Sequence, residues 1–247
     1  MPVLNDAIFS QLLRYLLLTT EWNMKVYTHY KANIRIDNLP YEYRWRTLLQ
    51  FGSSWDIIGS VVMKNPGSAN YLNGNDHWIE DCDILSHLEP FDYSCDRECG
   101  EKWYEFHSDT TMECVAELFA QKMGVTDKSK MQGIVQIFNL FYLREQDSGK
   151  AVKTIKSTPS LTAIDDKIFE NDIRALKAPI YLGFGKLAKS SVFREKAFSF
   201  FNETVNNYNA HYLDTSFEKN HFYHPLALMR FRKNDKEYSA VRNKFCS

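Results

Sequence analysis

The chain has 247 residues, 44 % hydrophobic and 25 % charged, with a formal net charge of −1. That length and balance suit a globular protein with a sizeable core, and the net charge gives no sign of a general nucleic-acid binder. No apolar run approaches a membrane span (the best, 15–18, is far too short), and the start carries no signal-peptide pattern, so the expected location is the cytoplasm, with no membrane partner. The five cysteines, Cys82, Cys95, Cys99, Cys114 and Cys246, are odd in number and point to reduced thiols or a metal site rather than a disulfide framework. Charge is segregated along the chain. Residues 75–120 hold 13 acidic and 2 basic side chains, whereas 121–247 hold 21 basic and 13 acidic. Such a division lets one face meet phosphates, although two solvated faces would read the same way.

In chain order, Asn5 can cap a helix with Ile8, Phe9, Leu12, Leu13 and Leu16 on one face. Pro40 breaks any continuous helix beyond it. Residues 1–50 are therefore expected to be a helical extension packed on a domain at 51–247. Residues 56–63 are a nearly continuous apolar run, as in a strand buried on both faces, and they stop at Lys64-Asn65-Pro66-Gly67-Ser68. Further runs at 134–138 and 179–182 end at Asn139 and at Gly183-Phe184-Gly185, and a weaker one lies at 211–213. Between them, Thr110 with Glu113 reads as a capping box opening a helix that stops at Gly124. A shorter helix is expected at 168–176 and another after Ser191; 150–160 reads as a loop. Strands separated by helices pair in parallel through crossovers, so the expected fold is a three-layer α/β/α sandwich on a mostly parallel four-stranded sheet. Ligands of such sheets bind beyond the carboxyl ends of the strands, which points to Asn65-Pro66-Gly67, Asn139 and Gly183-Phe184-Gly185.

Taken together, these strand ends resemble the uracil-DNA glycosylase superfamily. Lys64-Asn65-Pro66-Gly67 resembles its first motif in the mismatch-specific Asn-Pro-Gly form. Residues 135–139 resemble the strand whose terminal Asn reads the base, 180–188 the strand that usually ends in Trp-Gly, and His224-Pro225-Leu226 the late His-Pro motif. Asn-Pro-Gly-Ser, Asn-Leu-Phe and His-Pro-Leu in this order are also similar to an uncharacterised bacterial family linked to that superfamily. The likeness spans about 55–232. It departs at Phe184, which replaces the usual Trp, and after His224-Pro225, where no Ser follows.

The resemblance implies a DNA N-glycosylase that needs no cofactor and works as a monomer on DNA. Breaking an N-glycosidic bond puts positive charge on the sugar and negative charge on the departing base. Asn65 can orient a water but cannot take its proton, and His224 can donate to the base oxygen. Asn139 can grip the edge of a flipped pyrimidine, with Gly67 and Phe184 completing the base site. Gly67 stands where the uracil-specific form has a tyrosine wall against C5 substituents. A modified pyrimidine is therefore favoured, in the furthest case a glucosylated hydroxymethylcytosine of phage DNA, which would make this a defence enzyme. After His224, Leu226 is the candidate wedge into the base stack, and Arg230, Arg232 and Lys233 the candidate phosphate contacts.

An insertion at 71–108 carries Tyr71, His77, Trp78, Phe91, Tyr93, Trp103 and Tyr104, suited to lining a pocket. Cys82, Cys95, Cys99 and Cys114 match no compact metal spacing and are weak ligand candidates. Turn, capping and surface roles account individually for Asn65, Asn139 and His224. Competing readings are a mismatch or uracil repair glycosylase, a hydrolase of free nucleosides, and an inactive nucleic-acid-binding module on the same fold.

Overall fold

From Met24 the chain runs out and back in two 13-residue strands, β1 (Met24–Ile36) and β2 (Leu39–Phe51). Asp37 and Asn38 join them with φ of 51° and 64°, the left-handed pair that a two-residue hairpin turn requires. A computed structural model describes residues 23–67, 69–72, 79–80, 84, 102–208 and 210–247. The remaining strands among the described residues are β3 (Ile57–Met63), β4 (Ile79–Glu80), β5 (Lys102–Phe106), β6 (Gly133–Asn139) and β7 (Ile180–Leu182). They form one seven-stranded sheet in the order β4-β5-β1-β2-β6-β3-β7.

This sheet corrects the expected architecture. Only β6, β3 and β7 are mutually parallel; β2 pairs antiparallel with β6, and β1, β5 and β4 continue antiparallel from there. The sheet is mixed, not mostly parallel and four-stranded. Within the extension expected to be helical, residues 24–36 and 39–50 are strands; β2 is hydrogen-bonded to β6, and β1 to β2 and β5. The helix expected from Asn5 lies outside the described residues. The ends of the 71–108 insertion supply β4 and β5 at the sheet edge; His77, Trp78, Phe91 and Tyr93 lie outside the described residues. The weak fourth run is a turn: the Tyr212 hydroxyl accepts the Leu182 N–H at 2.8 Å, meeting the outer edge of β7 with a side chain rather than a strand.

Among the described residues, five α-helices flank the sheet: α1 (Thr110–Lys122), α2 (Ser148–Ser157), α3 (Pro159–Arg174), α4 (Arg194–Tyr208) and α5 (Lys236–Cys246). Alternation along the parallel strands sends side chains to opposite faces. Val61, Val135, Ile137 and Tyr181 pack with α1 and with Phe245 of α5, while Val62, Phe138 and Leu182 pack with α2, α3 and α4. The stretch expected as a loop at 150–160 is α2 followed by the start of α3, because Asp147 caps α2 through Gly149 and Lys150 and Ala151 and Ile155 are buried. Helix α1 begins as foreseen, but its cap is Asp109, whose Oδ1 accepts the Met112 N–H at 2.9 Å.

Candidate active site

The carboxyl ends of β3 and β6 lie side by side, since Met63 pairs with Asn139 and the Leu140 N–H donates to the Met63 carbonyl. Beyond them is a pocket of about 190 Å³. Its walls bring together Asn65, Gly67, Asn139, His224 and Leu226, five of the residues singled out in the sequence, from three separate segments. A cavity of roughly 150 Å³ holds a benzene ring, so this one takes a single six-membered ring.

Asn65 is held by its own amide. Its Nδ2 donates to the carbonyls of Pro66 and Glu145, both at 2.9 Å. With both N–H donors committed, the group left for a ligand or water is the Oδ1 acceptor. Asn139 is 2 % exposed, and its Oδ1 has no hydrogen-bond partner. A buried acceptor left unmade costs about 1–3 kcal/mol, which a ligand N–H would recover.

His224 reaches the pocket because its loop crosses close over the end of β7. A Cβ on Gly183 would lie 2.8 Å from Pro225 Cδ, so a side chain there would displace the His-Pro turn. The Tyr181 hydroxyl donates to the Tyr223 carbonyl at 2.7 Å, and the Tyr223 ring stacks on Tyr238. Burial, with a smaller effect of the Lys64 ammonium, lowers the His224 pKa to about 3, so the imidazole is neutral at physiological pH. The Leu226 N–H donates to Nδ1 at 3.3 Å, which leaves the proton on Nε2 as a donor.

Other expected residues sit elsewhere. Phe184 is fully buried against Phe222 in the core under α4 and does not line the pocket, so its expected place in the base site has no geometric basis. Leu226 lines the pocket wall rather than projecting as a wedge; the exposed apolar side chain of that segment is Phe231, 75 % exposed on a π-helical turn (Ala227–Phe231). Arg230 is taken up by Glu117, whereas Arg232 and Lys233 are exposed. Cys114 is a fully buried free thiol in the core, its pKa pushed up to about 11 by burial, and no group of metal-binding side chains occurs among the described residues; Cys82, Cys95 and Cys99 lie outside them. Nor is any helix among the described residues long and apolar enough to cross a membrane.

The structure adds residues that sequence reasoning passed over. Arg44 on β2 reaches the pocket because antiparallel β2 runs past the end of β6, where the Arg44 N–H donates to the Tyr142 carbonyl. Asp109 lines the same wall, and a Cβ on Gly67 would lie 2.9 Å from its Oδ2. The space that Gly67 was expected to open is therefore filled by a carboxylate. The available signal was the Asp37-Asn38 pair, which marks a hairpin and so β2, but not the burial of Arg44.

Comparison of the chain with protein-family models, with curated proteins and with solved structures finds no match.

Proposed function

We propose that the protein is a DNA glycosylase that hydrolyses the N-glycosidic bond of a flipped pyrimidine and leaves an abasic site. The observation that carries this reading is the convergence of Asn65, Asn139 and His224 on one ring-sized pocket at the ends of β3 and β6. In this reading Asn65 Oδ1 orients the water toward C1′ and Asn139 holds the base edge. The neutral His224 donates from Nε2 to the base oxygen as charge gathers there. Asn65 cannot take the water's proton; Asp109, the carboxylate among the described residues lining the pocket, can. Exposed Arg232 and Lys233 are the phosphate contacts. The pocket volume favours a plain or lightly substituted ring; a hexose on the base would have to project through the mouth.

The test offers single- and double-stranded oligonucleotides bearing uracil, 5-hydroxymethylcytosine or its glucosylated form, with released bases identified by mass spectrometry. Base release from at least one, falling ~10²–10³-fold in Asn65→Ala and in His224→Ala, is the expected result. Near-normal turnover in both folded variants would remove these residues from the reaction. Release from the glucosylated base alone would support the defence role, and release from uracil alone would favour repair.

A further inference from the structure

The pocket holds a cation that the reaction as drawn does not use. Arg44 is 3 % exposed and lines the pocket, yet its Nε and Nη1 have no hydrogen-bond partner. It forms no ion pair among the described residues; its charged neighbours are Asp109 and Arg144, and its guanidinium lies 5.7 Å from the centre of the Phe106 ring. Asp109 is a partial counter-charge, with one carboxylate oxygen committed to the cap of α1. Arg144 is already bound to Glu42 and Asn70. Burial lowers the Arg44 pKa to about 10, which still leaves it charged at neutral pH. Lys64, on the same wall, adds a second positive charge, and neutral His224 adds none.

Buried charge is normally paired, and among the described residues this one has only the partial counter-charge of Asp109. The same pocket contains the complementary orphan, Asn139 Oδ1, an acceptor without a donor. A ligand satisfying both carries an N–H on one edge and an oxygen with negative charge on another.

We propose that Arg44 is the anion-holding residue of this pocket and takes a negatively charged oxygen borne by a ring-sized nitrogen heterocycle. This inference deepens the glycosylase reading, on which its catalytic form rests, because a base leaving its sugar departs as such an anion. A ring bearing a carboxylate offers the same chemistry from another source.

Two measurements separate the sources and stand apart from each other. The first is calorimetric binding of free 5-carboxyuracil and of free uracil-5-carboxamide, near-isosteric rings that differ in charge. At least tenfold tighter binding of the carboxylated ring by the wild-type protein is expected, with the preference retained in part by Arg44→Lys and lost in Arg44→Gln. The second is single-turnover release of uracil and of 5-fluorouracil, the better leaving anion, from DNA. Arg44→Gln is expected to slow uracil release by a larger factor than 5-fluorouracil release, whereas a merely structural defect would slow both equally. An effect in the second measurement alone assigns the departing base as the anion, and one in the first alone assigns a charged substituent. Should no DNA release a base while the binding preference still depends on Arg44, the glycosylase reading falls and the anion site stands. Equal affinity for the two rings in the wild-type protein, with equal slowing of both bases, overturns the proposal. If Arg44→Gln does not fold, the wild-type and Arg44→Lys binding data decide it.

Discussion

Arg230 grips Glu117 at two points, Nη1 to Oε2 at 2.5 Å and Nη2 to Oε1 at 2.8 Å. The pair ties the π-helical turn after the His-Pro segment to α1, and it lowers the Glu117 pKa chiefly through that hydrogen bonding.

Arg230 is therefore a structural cation, and the basic cluster at 230–233 is expected to divide. Arg230→Ala should cost about 1 kcal/mol or less, since the pair is partly open to solvent, and should leave the salt dependence of DNA binding unchanged. Arg232→Ala and Lys233→Ala should each flatten the slope of log affinity against log salt by roughly one. Fluorescence titrations between 50 and 200 mM salt, run with about 1 µM protein, read the difference. A slope altered by Arg230 alone would reverse the assignment.

The cap that Asp109 gives α1 is separable from its charge. Asn caps a helix about as well as Asp, so Asp109→Asn should keep α1 within about 0.5 kcal/mol of wild type while removing the proton acceptor. Base release is expected to fall by ~10²-fold in a variant that remains folded. A folded variant that turns over normally would show that Asp109 is not the proton acceptor.

His224 gives a pH dependence of definite sign. Its folded pKa of about 3 lies below the ordinary 6.5, so the unfolded chain binds more protons across that interval. The stability due to the neutral, buried ring is fully present above pH 6.5 and is lost progressively as pH falls toward 3. His224→Gln lacks this titration. Denaturant melts of the two proteins from pH 8 to pH 4 should show the wild type losing more stability on acidification. Base release should show no inflection near pH 6.5; an inflection there would mean that the ring titrates normally.

Gly67→Ala tests the contact between the Asn-Pro-Gly turn and α1. The new methyl would sit 2.9 Å from Asp109 Oδ2 and push the cap off Met112, at a cost of about 1 kcal/mol. In an Asp109→Ser background, where the shorter side chain withdraws, the same substitution should cost less, with a coupling of at least 0.5 kcal/mol in the double-mutant cycle. Additive effects would place the carboxylate elsewhere in solution.

The parallel half of the sheet was legible because buried strands write themselves as short apolar runs punctuated by Pro, Gly or Asn, and β3, β6 and β7 do so. Asn65, Asn139 and His224 followed from where those runs stop. The hairpin was not legible by the same rule. In β1 the buried stretch contains Thr28 and His29, and its outer half alternates between exposed and half-buried residues, so no apolar run stands out. Pro40, read as a helix breaker, sits one residue into β2, opposite Arg35 beside the turn. Arg44 was invisible for a related reason: a buried arginine on a strand differs from a surface one only through a tertiary neighbourhood that no local pattern encodes.

The antiparallel joint between β2 and β6 has a consequence for how the molecule can be divided. Because β6 is hydrogen-bonded on one side to β3 and on the other to β2, the hairpin is not an appendage. A protein begun at residue 52 would lose Arg44 from the pocket and leave β6 with a row of unsatisfied amides and carbonyls along an apolar edge. Such a fragment should self-associate, measurable as oligomers by light scattering, rather than survive as a smaller folded unit.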